Sequence, residues 1–135
     1  MTQKTNSSFT DTSHQPSTCD CAASTDNTLL VGIDVGSTTG KIAVFDPRTQ
    51  KVLFRRYLRH HARQVECVKN LFLEVKEVFS DTPLRAAFCG SGGAALAAAL
   101  DLPYVQEVVA NALAVSAFYP TARTAIELGG QDAKM

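Results

Sequence analysis

The apolar positions divide this chain into a polar leading segment and a patterned remainder. Residues 1–27 are rich in Ser, Thr, Asn, Gln and Asp. Such a segment buries too little apolar surface to offset the entropy of ordering, so we expect a disordered leader. From Thr28 onward, short apolar runs alternate with turn residues. Two runs flank the turn at residues 36–40, which predicts a β-hairpin over residues 28–46, and residues 51–58 add a third antiparallel strand.

Helical spacing follows the third strand. Residues 62–79 place apolar side chains on one face of a predicted helix: Val65, Val68, Leu71, Phe72, Val75, Val78 and Phe79. Residues 84–89 form a short apolar strand, which follows a helix and should lie parallel to an earlier strand. Further helices are predicted at residues 94–100 and 105–119, before a strand at 123–128. The second of these helices has an apolar face made of Val108, Val109, Ala112, Val115 and Ser116.

Composition and charge narrow the class of protein. The chain has 135 residues, 45% of them hydrophobic, and a formal net charge of zero, which fits one globular domain after the leader. We expect a cytoplasmic protein with no membrane partner, because no apolar run reaches spanning length and no apolar signal region opens the chain. We also expect no nucleic-acid partner, because the net charge is zero and no aromatic platform accompanies the basic residues. A local basic patch is interpreted as a solvated strand edge and helix start rather than a nucleic-acid site: Arg55, Arg56, Arg59, His60, His61 and Arg63.

The four cysteines are expected to be reduced thiols in that compartment. Cys67 lies on the predicted helix face and Cys89 ends an apolar strand, so both are interpreted as small core residues. Cys19 and Cys21 lie in the leader, where no second pair of ligands supports a metal-binding role.

One acid inside the first apolar run marks a candidate site. Asp34 stands between two apolar residues, and a carboxylate in a buried strand needs a cation or hydrogen-bond donors beside it. Glycines and hydroxyls follow at residues 36–40, and Lys41 opens the next strand. Glycines let backbone N–H groups approach a ligand, and hydroxyls add hydrogen bonds. The hairpin therefore suits a turn that holds phosphate beside a hydrated metal ion on Asp34, and an ordinary turn capped by Asp34 is the alternative.

A second stretch repeats this arrangement. Glu127 lies in an apolar run and is followed by Gly129, Gly130, Gln131, Asp132 and the start of a return strand. Two such hairpins in one short chain favour the ligand-binding interpretation of both. Between them, the glycine-rich turn at residues 90–93 either binds phosphate or ribose or only allows close packing, and both alternatives stay open.

The two hairpins resemble the two phosphate loops of the superfamily of actin, heat-shock-protein ATPases and sugar kinases. The closer resemblance is to the BadF/BadG/BcrA/BcrD-type ATPases, which include activators of 2-hydroxyacyl-CoA dehydratases and ATPase subunits of benzoyl-CoA reductase. It rests on Gly-Ile-Asp-Val-Gly-Ser-Thr-Thr-Gly-Lys at 32–41, Phe-Cys-Gly-Ser-Gly-Gly at 88–93 and Gly-Gly-Gln-Asp at 129–132. It implies an α/β, ribonuclease H-like (actin-like ATPase) first lobe with a mixed sheet at residues 28–123, and the start of a second lobe at 124–135.

The resemblance also implies site residues. Asp34 would hold Mg²⁺ through water, and Glu127 stands where a second acid near the metal is expected. Gln131 or Asp132 would orient the attacking water. Phosphate contacts are implied for Gly36, Ser37, Thr38, Thr39, Lys41, Gly129 and Gly130. The family's activators share a [4Fe–4S] cluster between two subunits, and none of the four cysteines here corresponds to its ligands.

The implied function is that of the ATP-binding N-terminal part of an ATPase. In the family, such an ATPase activates a 2-hydroxyacyl-CoA dehydratase or benzoyl-CoA reductase-type enzyme by ATP-driven electron transfer. ATP and Mg²⁺ are the implied cofactors, and the dehydratase or reductase component and a second copy are the implied partners. A sugar- or acetate-type kinase lobe and a non-catalytic regulatory module of the same fold remain alternatives. With only the start of a second lobe, we expect these 135 residues alone to hydrolyse ATP poorly.

Overall fold

The computed structural model describes residues 27–128 and 133–134, with side chains described as far as Ile126. Its elements in chain order are β1 (Leu29–Val35), β2 (Thr39–Asp46), β3 (Lys51–Arg59), α1 (Gln64–Val78), β4 (Leu84–Cys89), α2 (Gly93–Ala99), α3 (Glu107–Phe118), β5 (Glu127–Leu128) and β6 (Ala133–Lys134). The order of strands and helices predicted from the apolar pattern is confirmed.

The larger sheet has the strand order β3-β2-β1-β4. β1 pairs antiparallel with β2 and β2 antiparallel with β3, because short turns can only return the chain alongside itself. β4 pairs parallel with β1 after the crossover through α1, as predicted. Tyr104 makes an isolated parallel bridge to Phe88 and so extends the sheet beyond β4. The carboxyl ends of β1 and β4 therefore lie side by side, with Asp34 opposite Cys89.

The main core lies between the sheet and α1. Alternate residues of β1 (Leu29, Val31, Ile33 and Val35) are buried, as expected for a strand with one covered face. They belong to the same core cluster as Val68, Leu71 and Val75 of α1. Each such fully buried aliphatic side chain contributes about 1.5–3 kcal/mol.

The predicted buried face of α1 is wrong at two positions. Val65 is 69% exposed and Val78 is 59% exposed, whereas Cys67 is buried. At 3.6 residues per turn, Val65 lies roughly 100° around the axis from the centre of the buried stripe. Val78 is the last residue of the helix. The apolar pattern is thus wider than the surface that the sheet covers.

The helix predicted at 105–119 is present as α3, and none of its residues is buried. Val108 is 62% exposed and Val109 is 47% exposed. Its helical hydrogen bonds form locally and do not require a covering layer.

The face of the larger sheet opposite α1 presents exposed apolar side chains, including Leu30 and Tyr57.

The turn between β2 and β3 is held by a carboxylate. Asp46 caps the β2–β3 turn and accepts hydrogen bonds from the backbone N–H of Arg48 and the hydroxyl of Thr49. The Arg48 N–H, ahead of the other partners, holds the pKa of Asp46 below its ordinary value.

The strand predicted at 123–128 is shorter than expected, because only Glu127–Leu128 pair, antiparallel, with Ala133–Lys134.

Within the described residues, no helix has both the length and the apolar character needed to cross a membrane.

Candidate functional site

The turn between β1 and β2 is short and hydrogen-bonded across its base. The N–H of Gly36 donates to the carbonyl of Thr39 over 2.9 Å. Ser37 and Thr38 form its exposed tip, while Thr39 is buried at 9% exposure. The hydroxyls at the tip can meet a ligand, and Thr39 faces the protein. A phosphate contact by each of these residues stays a prediction.

Asp34 and Lys41 face each other at the mouth of this turn. They are register partners in the antiparallel pair, and Lys41 Nζ donates to Asp34 Oδ2 over 2.8 Å. The Asp34 side chain is 22% exposed and that of Lys41 is 46% exposed. The other carboxylate oxygen, Asp34 Oδ1, is buried without a hydrogen-bond partner. The carboxylate therefore retains acceptor capacity that the protein does not satisfy.

Gly90 provides the space in which that carboxylate lies. Its φ of +86° is a backbone conformation that L side chains rarely adopt. A Cβ at this position would overlap Asp34 Oδ1 and stand 2.5 Å from the carbonyl oxygen of Val35. Tyr104 donates its hydroxyl hydrogen to the Gly90 carbonyl over 3.1 Å and so holds the turn from the other side.

The glycine-rich turn at residues 90–93 supports the close-packing alternative. Gly92 donates its N–H to the Val35 carbonyl over 2.7 Å. A Cβ on Gly92 would lie 3.0 Å from Gln64 Nε2 and 3.1 Å from Val35 Cγ1. These two glycines let the β4–α2 turn rest directly on the end of β1, so packing accounts for them without a ligand.

His60 departs from the sequence prediction. It was placed in a solvated basic patch, yet it is only 4% exposed. The rest of that patch is exposed as predicted, and Arg56 pairs there with Glu74 of α1. A signal for this was present in the sequence, since His60 directly follows β3 and continues the alternation that puts Phe54 and Leu58 on the partly buried face.

The two cysteines in the described region differ. Cys67 is buried as predicted, and burial raises the pKa of its thiol. Cys89 is half-buried and lies on the open face of the sheet, so the prediction of a core position is wrong for it. With Tyr57, Arg55, Asp34 and Lys41 it lines a shallow groove of about 620 Å³. No cluster of three or more His, Cys, Asp or Glu side chains occurs among the residues with described placement.

The second hairpin is only partly described. The backbone of Glu127 pairs with Lys134, which confirms a hairpin at the predicted place. The described residues do not include Gly129, Gly130, Gln131 and Asp132, the side chain of Glu127, or residues 1–26 of the leader predicted at 1–27. Their predicted roles are not tested by this structure.

The fold defines a class. Three antiparallel strands, a crossover helix and a parallel fourth strand beside the first have the ribonuclease H-like fold found in the first lobe of actin-like ATPases. The predicted fold is thereby confirmed.

Two solved structures share this fold. The activator of the 2-hydroxyisocaproyl-CoA dehydratase from Clostridium difficile, with bound ADPNP, matches with a TM-score of 0.56 and 19% identity over 78% of this chain and 39% of its own. Component A of the (R)-2-hydroxyglutaryl-CoA dehydratase from Acidaminococcus fermentans matches with a TM-score of 0.56 and 23% identity over 78% of this chain and 41% of its own. The resemblance to dehydratase activators is thus confirmed in the fold, and the chain spans about two fifths of the length of these proteins.

No family model matches the chain, and no curated protein sequence matches it.

Proposed function

We propose that this chain is the ATP-binding N-terminal part of an ATPase that activates a 2-hydroxyacyl-CoA dehydratase or a benzoyl-CoA reductase-type enzyme. The observation that carries the proposal is the Asp34–Lys41 pair at the mouth of an exposed Gly-Ser-Thr turn. A turn with exposed hydroxyls, a cation and a carboxylate, all at one end of a hairpin, are parts that phosphoryl transfer uses. Support from the fold comes from a dehydratase activator solved with bound ADPNP.

Magnesium fits the chemistry of Asp34. Mg²⁺ in ATPase sites is held by one or two carboxylates, several waters and the substrate phosphates. Asp34 has one oxygen without a hydrogen-bond partner and shares the other with a half-exposed lysine. Bound there, the metal would neutralise charge that develops on the transferred phosphoryl group. In this proposal Glu127 is the second acid near it.

The Asp34–Lys41 ion pair gives the ligand-free site a defined resting arrangement. The two side chains neutralise each other across the hairpin over 2.8 Å. Nucleotide with Mg²⁺ offers each of them a stronger partner, a phosphate for Lys41 and a cation for Asp34. We infer that Lys41 leaves Asp34 when nucleotide binds, and that Ser37 and Thr38 donate to the phosphates from the tip. Gly129 and Gly130 would close the site from the second hairpin, and Gln131 or Asp132 would orient water.

The partner side of the proposal rests on the fold relationship alone. A dehydratase or reductase component would receive electrons after ATP-driven conformational change, and a second copy and a [4Fe–4S] cluster belong to the same proposal. A kinase of the same fold would instead transfer the phosphoryl group to a hydroxyl or carboxylate of a small molecule. Phosphorylated sugar or acetate formed from ATP would therefore support the alternative.

Titration calorimetry with ADPNP, in Mg²⁺ and in EDTA, tests nucleotide binding. We expect Mg²⁺ to strengthen ADPNP binding by the 135-residue chain. Asp34→Asn should remove most of that Mg²⁺ effect, weakening binding in Mg²⁺ at least about tenfold, because a charged partner is lost. The matched control is Asp81→Asn, an exposed acid before the amino end of β4, which should bind as wild type. Equal Mg²⁺ dependence in wild type and Asp34→Asn would remove Asp34 from the site.

A further inference from the structure

His60 ties the β1–β2 turn to the corner between β3 and α1. Its ring Nε2 lies 3.1 Å from the carbonyl oxygen of Gly36, and its backbone N–H donates to the carbonyl of Thr38 over 3.2 Å. These two carbonyls belong to the first and third residues of the turn. His60 is 24 positions away from Gly36 in the chain, so this contact depends on the tertiary fold.

The hydrogen bonds determine the state of the imidazole. The N–H of Ala62 donates to His60 Nδ1 over 3.1 Å, so Nδ1 must be the unprotonated nitrogen. A neutral imidazole then carries its proton on Nε2. The Nε2–H therefore donates to the Gly36 carbonyl, and both ring nitrogens are used.

The backbone after His60 is strained, and the strained conformation lets the Ala62 N–H reach the His60 ring. His61 and Ala62 have φ values of 46° and 65°, in the left-handed region that costs about 1–2 kcal/mol per non-glycine residue. This left-handed pair brings the Ala62 N–H back to the ring of His60. Strain of this kind persists only where the surrounding structure enforces it, and it concentrates at functional sites.

The hydrogen bond from His60 to the Gly36 carbonyl determines which way the Ser37 N–H points. The Gly36 carbonyl and the Ser37 N–H belong to one peptide unit, and the described part of the chain contains no cis peptide bond. In a planar trans unit the N–H points opposite to the carbonyl. Because the carbonyl points at buried His60, the Ser37 N–H points away from His60, and Ser37 itself is exposed.

We propose that His60 is a positioning residue for nucleotide binding. Its Nε2–H orients the 36–37 peptide so that the Ser37 N–H faces the phosphate. This inference rests on the proposed function, and it assigns to His60 no contact with the nucleotide. A residue that only stabilised the β3–α1 corner would affect unfolding but would not distinguish between the two ring nitrogens.

Two conservative variants separate the ring nitrogens. His60→Asn keeps an acceptor near the position of Nδ1 but cannot reach Gly36, and His60→Gln carries an amide donor near the position of Nε2. Loss of one hydrogen bond corresponds to about two- to tenfold in affinity. We expect His60→Asn to weaken Mg²⁺·ADPNP binding by that factor and His60→Gln to restore it to within about twofold of wild type. The control is His61→Asn, since His61 is exposed and Asn tolerates a positive φ.

Two measurements without nucleotide complete the test. Nitrogen-15 NMR of the wild-type imidazole should show Nε2 protonated and Nδ1 unprotonated. Amide hydrogen exchange in residues 36–39 should be faster in His60→Asn than in His60→Gln, with exchange in β1 and β4 unchanged. A proton on Nδ1, or equal affinities and exchange rates in the two variants, would overturn the proposal. Failure of wild type to bind ADPNP would overturn the proposed function, whereas the tautomer and exchange results would still decide whether His60 orients the turn.

Discussion

Gly40, the second residue of β2, leaves the space that α1 needs to pack against this strand, and the effect of filling that space can be measured. A Cβ at Gly40 would stand 2.9 Å from Cys67 Sγ and 3.4 Å from Leu71 Cδ1. Cys67 cannot move away without cost, because its side chain is buried in the core cluster with residues of β1 and β2. Gly32 on the neighbouring strand is the matched control, since a Cβ there meets nothing within 4 Å.

The expected change in the free energy of unfolding follows from two terms. Gly→Ala restricts the unfolded chain and stabilises by about 0.4–1 kcal/mol where the native backbone accepts Ala. Overpacking a closed core costs about 1–3 kcal/mol. Gly32→Ala has only the first term, and Gly40→Ala has both. The free energy of unfolding should therefore be about 1–3 kcal/mol lower for Gly40→Ala than for Gly32→Ala.

Urea denaturation followed by circular dichroism measures this difference. A shift on the order of 1 M between the two midpoints is expected, since m-values of small domains are about 1–3 kcal/mol/M. Removing the sulfur with Cys67→Ala should relieve the overlap, so a double-mutant cycle should show favourable coupling between Gly40→Ala and Cys67→Ala. Equal midpoints for Gly40→Ala and Gly32→Ala would refute the argument that α1 packs on this strand at contact distance.

Two further predictions concern the groups that frame the site. Gly90→Ala should destabilise by more than about 2 kcal/mol, because positive φ and overlap with Val35 combine, whereas Gly93→Ala, whose Cβ would meet nothing closer than 3.5 Å, should unfold near the wild-type temperature. The Asp46 pKa lies lower in the folded chain than in the unfolded chain, mainly because of the Arg48 N–H, so its carboxylate stabilises above about pH 4 and this contribution is lost as the pH falls through the folded-state pKa. Asp46→Asn should therefore flatten the acid side of a plot of urea midpoint against pH, and an unchanged acid limb would contradict this.

The strand order was predictable because it follows from local rules. A glycine-rich turn between two apolar runs determines a hairpin, and a helix between two strands determines a parallel pair. The pairing of Asp34 with Lys41 follows from the same hairpin register. The candidate site could be found for the same reason, since its acid, turn and lysine lie within a few residues of one another.

The errors fall where a residue's environment is set by a distant element. Helical periodicity assigns Val65 and Val78 to the apolar face of α1. The extent of the sheet decides which residues of that face are covered, and both of these are exposed. For α3 the sequence spacing predicted the helix and its apolar face, but spacing cannot say whether another layer covers that face, and no residue of α3 is buried. His60 lies beside basic residues in the sequence, yet the turn at Gly36 surrounds it in space.

Gly90 and Gly40 show the same limit within the site. The sequence left ligand binding and close packing open for the turn that contains Gly90, and for Gly40 it indicated only a turn that a ligand can approach. In the structure, neighbouring atoms of the protein fill the space beside both glycines. Asp34 and Val35 fill the space beside Gly90, and Cys67 fills the space beside Gly40. Gly36 has more space beside it than Gly90 or Gly40. A Cβ on Gly36 would meet Thr39 only at ordinary contact distances of 3.6 and 3.7 Å. Within the described hairpin, Gly36 is thus a glycine beside which room remains for a ligand, and its carbonyl is the one that His60 holds. In the proposed function, ligand approach and the orientation of the turn therefore converge on the single peptide between Gly36 and Ser37.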